Sequence, residues 1–188
     1  EVGEASGLVH MMSLTTRYGV SCQYLGALAR DGGFGELYYA RARSVRRIGI
    51  PSWSRGYVEK GGGAFRDMGV HFLDAVWAIM GFPRPVTVTG VSGAEFGPRG
   101  HGYSRPTPKK VWRQFAADDY AGGFIRFDDG AGGQQAGGHR AGLQIESFWA
   151  SHQPPEGQIE VFGTAAGARL NPLTLFQTHN GVEEDVAV

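Results

Sequence analysis

The sequence is short of cysteine, of net charge and of long apolar runs, and each shortage sets a class of protein aside. One cysteine, Cys22, in 188 residues allows no internal disulfide, which suits a reducing cytoplasm. Lysine plus arginine and aspartate plus glutamate each number 18. A net charge of zero offers nothing to nucleic acid or to an anionic membrane. No apolar stretch approaches the roughly 20 residues of a membrane span. Glu1-Val2-Gly3-Glu4 lacks the basic start and apolar core of a signal peptide. What is present is an ordinary globular composition, 41% hydrophobic and 19% charged, sufficient for one domain with a sizeable core. Glycine is the excess, at 31 residues, and predicts many tight turns.

The chain opens without an initiator methionine. Residues 1–7 read as the end of a helix closed by Gly7, and Leu8–Leu14 as a short apolar strand in need of a sheet to join. Helical spacing of Val20, Tyr24, Leu25 and Leu28 predicts a helix over Val20–Asp31, ended by Gly32-Gly33. Glu36–Arg47 alternates as a strand. Its small face carries Tyr38, Ala40, Ala42 and Ser44 and suits close helix packing. Its other face carries Tyr39, Arg41, Arg43 and Val45 and suits solvent or a partner subunit. Residues 48–60 form a loop, and Gly61-Gly62-Gly63 introduces the strongest helix, Ala64–Met80, closed by Gly81 and Pro83. Strands are predicted at 86–91, 120–127, 143–150, 158–162, 173–178 and 182–188, with Asn180-Gly181 as a hairpin turn. Phe96–Lys110 reads as a long surface loop, and Gly130–Gly142 as a low-complexity insertion. Short connections between successive strands predict mostly antiparallel pairing. The fold class is α+β, an open sheet with helices on one face.

Asp67, His71 and Asp74 stand at i, i+4 and i+7 of the strongest helix, on one stripe opposite its apolar face. A carboxylate beside an imidazole can orient it as an acid or base near neutral pH, which dehydrogenation of an alcohol requires. The same spacing fits a solvated helix face, since the helix dipole alone favours Asp67 in the first turn. It also fits two ligands of a metal, but no further carboxylate or histidine joins them in sequence, and no metal is expected.

Gly63-Ala-Phe-Arg-Asp67-Met-Gly-Val-His71-Phe-Leu-Asp74 resembles the Gly-x-x-x-Asp-x-x-x-His motif of the Gfo/Idh/MocA oxidoreductases. The glycine run 61–63, the exit Gly81-Phe-Pro-Arg-Pro-Val86, Asp118-Asp119, Phe124–Phe127 and Phe162-Gly163-Thr164 resemble the motif's surroundings in that family. The resemblance implies a substrate-binding C-terminal domain over residues 15–188. Residues 1–14 would then be the remnant of a missing Rossmann domain, with Leu8–Leu14 as its last strand. It implies hydride transfer between NAD or NADP, bound mainly by the missing domain, and a sugar-like alcohol or carbonyl. His71 would be the acid/base and Asp67 its partner or a substrate ligand. Arg17, Tyr18, Trp53, Arg55, Lys60 and Asp74 would contribute to substrate binding. It further implies a homo-oligomer formed through the open sheet face. The family's Gly-x-Gly-x-x-Gly and Glu-Lys-Pro are absent: Glu59-Lys60 runs into Gly61, and Gly130–Gly142 has the wrong spacing and context. This chain alone is therefore expected to be inactive. Two other functions fit the same residues. One is a non-catalytic module that oligomerises through the sheet, and the other is a lyase or hydrolase of the family assisted by NAD.

Overall fold

A computed structural model of the protein describes residues 2–9, 11–128 and 140–188. Five helices are α1 (Val2–Ser6), α2 (Val20–Arg30), α3 (Arg55–Val58), α4 (Val70–Ile79) and α5 (Lys109–Trp112). Eight strands are β1 (Leu37–Val45), β2 (Arg84–Gly93), β3 (Tyr120–Asp128), β4 (Arg140–Phe148), β5 (Glu156–Gly163), β6 (Ala166–Arg169), β7 (Thr174–His179) and β8 (Val182–Ala187). They form one open sheet in the order β2-β3-β4-β1-β5-β6-β7-β8.

Every strand pair is antiparallel except β1 with β4. Short turns dictate the antiparallel pairs β5–β6, β6–β7 and β7–β8. The parallel pair arises because the chain leaves β1, builds the motif helix and β2–β3, and only then returns beside β1. Helix α4 lies on β1 and β5, and α2 packs on α4. Ala40 and Ala42 of β1 are fully buried beneath them, as the small face of that strand predicts. Asn180 and Gly181 both have positive φ, 51° and 80°, and close the β7–β8 hairpin as the Asn-Gly pair requires.

Four expectations need correction. Residues 8–14 form no strand among the described residues. Leu8, Val9, Met11 and Met12 are 71–97% exposed, and without a neighbouring edge an extended segment has no ladder to join. In α2, Val20 and Tyr24 face solvent and the buried side is Cys22, Leu25 and Gly26, because the helix meets α4 on that side. The motif helix is not α-helical throughout, since Phe65–Gly69 is a π-turn that runs into α4. Strand β6, four residues of which three are alanine or glycine, carries too little alternation to be foreseen.

The expected surface loop at 96–110 is stapled down. The buried Asp119 carboxylate accepts the backbone N–H groups of Glu95, Phe96 and Gly97 at 2.7–2.9 Å. Gly102 O accepts from the N–H groups of both Gly49 and Ile50. Beneath it lies a second apolar cluster of Ile50, Val58, Ala64, Met68, Trp149 and Ala150, separate from the main core under α2 and α4. Of the glycine-rich stretch, residues 130–139 lie outside the described residues, and 140–142 open β4. Asp128 and Arg140 are already in register.

Candidate active site

The motif helix begins where backbone and carboxylates are most tightly arranged. Gly63 has φ +123°, and a Cβ there would sit 2.0 Å from Asp118 Oδ1, so glycine is required. Asp118 approaches this closely because its Oδ2 accepts the Phe65 N–H at 3.3 Å, while its carbonyl accepts the Ala64 N–H at 3.0 Å. The loose N-terminal donors of the helix are thereby satisfied. Ser147 Oγ donates to Ala64 O at 2.8 Å, fixing the same turn to β4. The π-turn follows immediately, a widening that recurs at functional sites. Gly69 accommodates it: a side chain there would strike the Phe65 ring at 2.6 Å.

The predicted stripe is not a solvated face. Asp74 is buried, and Asp67 and His71 are half-buried. The Asp67 carboxylate accepts the Trp149 indole N–H at 2.8 Å, and no hydrogen bond joins it to His71 among the described residues. The buried Nδ1 of His71 has no hydrogen-bond partner. Asp74 lies 3.2 Å from Arg17 Nε, an ion pair without hydrogen-bond alignment. Arg17 also lies over the Tyr18 and Phe82 rings at 5.3 and 6.0 Å. The pair ties residues 15–18 to the motif helix.

Candidate residues therefore fall into separate groups. Trp53 packs edge-to-face on Tyr57, and Tyr57 on Trp149, with centroids 5.8 and 6.4 Å apart. This aromatic row leads from the exposed Trp53 to Asp67. Arg17, Tyr18 and Asp74 lie toward α2. Arg55 is exposed and paired with Glu59 at 3.0 Å, and Lys60 is exposed. Among the described residues, no hydrogen bond or ion pair joins either to Asp67 or His71. Sequence reasoning missed Trp149 and Tyr57. The one available signal is that a buried indole N–H needs an acceptor, and Trp149, just past the end of β4, follows Ser147 at a spacing of two. A broad concavity of about 710 Å³ lies far from the motif, along β5–β8. It is lined by Glu183, Glu184 and Asp185 and offers no histidine or cation to a reaction. No group of three or more metal-ligating side chains occurs among the described residues, and no helix is long and apolar enough to cross a membrane.

An open, largely antiparallel sheet with a Gly-x-x-x-Asp-x-x-x-His helix against it defines the class. The model of the GFO/IDH/MocA C-terminal domain matches residues 22–169, and the chain belongs to that family. It is 28% identical over 177 residues to D-glucoside 3-dehydrogenase of Escherichia coli K12, covering 88% of this chain and 45% of the relative. A crystal structure of an NAD binding oxidoreductase from Klebsiella pneumoniae superposes with a TM-score of 0.73 at 20% identity, over 99% of this chain and 48% of that one. An oxidoreductase domain protein from Kribbella flavida gives 0.70 at 21% identity, over 98% and 48%. The chain spans about half the length of the relatives it matches. Those relatives and solved structures are a dehydrogenase and oxidoreductases.

Proposed function

We propose that this chain is the substrate-binding part of an NAD(P)-dependent dehydrogenase of a sugar or glycoside, with His71 as the acid/base. The observation that carries the reading is the His71 ring. Its Nδ1 is buried without a partner, on a helix whose Asp67 carboxylate is already held by Trp149. Nε2 is then the atom that trades a proton with a substrate hydroxyl. The aromatic row ending in exposed Trp53 supplies an apolar face for a sugar ring, with Arg105 over Trp53 at 5.8 Å. The 28% identity to a D-glucoside 3-dehydrogenase supports a glycoside as the substrate class.

The described residues do not fit a dinucleotide. The one parallel pair, β1 with β4, has no glycine-rich turn running from a strand into a helix to cradle a pyrophosphate. When bound, the nucleotide supplies the hydride acceptor, and we place it in a Rossmann domain outside residues 15–188, with residues 1–14 as the remnant of that domain and 15–18 as the crossing. On this reading the chain alone is inactive, the protein works in the cytoplasm, and it assembles through the open sheet face.

The test is a fusion of this chain to an upstream nucleotide-binding domain, assayed for NAD(P) reduction with glucosides and polyols. His71→Asn is expected to lower kcat roughly 100- to 10,000-fold. An unchanged rate would instead support the non-catalytic module, and turnover without hydride transfer the lyase or hydrolase.

A further inference from the structure

We infer that Trp149 is a positioning residue for Asp67: its indole N–H fixes one carboxylate oxygen and leaves the other for the site. The inference rests on the dehydrogenase reading only for what Asp67 acts upon, not for the contact itself.

Trp149 is fully buried, and its Nε1 donates to Asp67 Oδ2 at 2.8 Å. A hydrogen bond from a buried donor to an ionised acceptor is short and directional, and roughly twice as strong as a neutral one. The indole cannot swing away. Its backbone N–H donates to Asp119 O at 2.9 Å, and the Asp119 side chain in turn holds three backbone N–H groups of the 95–97 turn. Tyr57 meets the ring system edge-to-face, with centroids 6.4 Å apart. Two residues earlier on the same strand side, Ser147 Oγ grips the Ala64 carbonyl at 2.8 Å. Ser147 and Trp149 therefore hold the first turn of the motif helix at two points, one on backbone and one on a carboxylate.

The acceptor side is equally constrained. Asp67 lies inside the π-turn, and its own N–H is spent on Gly63 O at 3.0 Å. Oδ2 is occupied by the indole, and Oδ1 has no partner and is not sealed from solvent among the described residues. A half-buried carboxylate with one fixed and one available oxygen is a directional acceptor. Without the indole it could rotate about χ2, and both oxygens would be equivalent to a ligand. Removing an aligned donor from such a site disperses the geometry on which rate depends.

Two measurements test this. The first uses the chain itself, which has four tryptophans, Trp53, Trp77, Trp112 and Trp149. In the ¹H–¹⁵N spectrum the Trp149 indole resonance, assigned by its loss in Trp149→Phe, should lie furthest downfield. Asp67→Asn should move it upfield while the other three stay in place. An unmoved Trp149 resonance overturns the inference. The second uses the complete dehydrogenase. Trp149→Phe should lower kcat about 10-fold with KM within about twofold, and should cost less than about twofold in an Asp67→Asn background. Equal losses in both backgrounds would show that Trp149 is merely structural and also overturn the inference. A wild-type protein that turns over no sugar or polyol while the indole shift is present counts against the dehydrogenase reading and leaves the positioning contact standing.

Discussion

At the scale of single residues, Asp118 and Asp119 divide the labour between two neighbouring segments. Asp118 caps the motif helix, and Asp119, fully buried, gathers the N–H groups of the 95–97 turn. Tyr103 joins the second arrangement, its hydroxyl donating to Gly97 O at 3.0 Å. Burial, and next the negative charge of Asp119, push its phenol up to about 12. An unfolded tyrosine ionises near 10. The folded chain therefore binds more protons between those values, so this contribution to stability is whole below about pH 10 and is lost as pH climbs toward 12. Denaturation with urea at pH 8, 10 and 11 should show a fall above pH 10 that Tyr103→Phe makes shallower. Identical slopes in the two proteins would dissociate Tyr103 from the alkaline loss. Nothing in the sequence around Tyr103 discloses this, because the charge that acts on it sits 16 positions away and reaches it only through the folded 95–97 turn.

At the scale of elements, the motif helix was legible in its extent and in the glycine that starts it, but not in its hand-off from π-turn to α-helix. Periodicity reports which residues face the core, and one extra residue in a turn barely alters that pattern over a dozen positions. Nor could spacing disclose that Asp67 turns to Trp149, a residue 82 positions away. Gly63 is the element's most exacting position, since both its φ of +123° and the Asp118 carboxylate 2.0 Å from a would-be Cβ oppose any side chain. Gly63→Ala should destabilise the chain by about 2–3 kcal/mol, read as a lower denaturation midpoint. Its Trp149 indole resonance should also move, because the first turn carries Asp67. Gly181→Ala, at the exposed β7–β8 turn with open space around a Cβ, serves as the control: strain at φ +80° without a clash should cost about 1 kcal/mol and leave that resonance in place.

At the scale of the whole molecule, the sheet has two unlike faces. One is roofed by α2 and α4 over β1, β4 and β5. The other carries no helix packed on it among the described residues and is built from side chains that pair across strands. Tyr39 stacks on Phe124 and meets Phe162 edge-on, Arg41 pairs with Glu160 at 2.9 Å and lies over Phe162, and Arg43 bridges Glu146 and Glu156 at 3.2 and 2.8 Å. Alternation along β1 predicted this arginine face, since a period of two separates it from the alanines whatever the neighbours are. The pairing of each arginine with acids on flanking strands needed the strand order, which the sequence does not carry. Half-exposed ion pairs of this kind contribute little to the stability of a single chain, while a polar and aromatic surface suits association. On the proposal that copies meet through this face, the chain sediments as a dimer or larger. Arg41→Glu combined with Arg43→Glu sets like charges against Glu160, Glu146 and Glu156 and should yield monomers with a nearly unchanged circular dichroism spectrum. A wild-type chain that sediments as a monomer at tens of micromolar, or a double variant that remains associated, would require the open face to be covered by something other than a second copy.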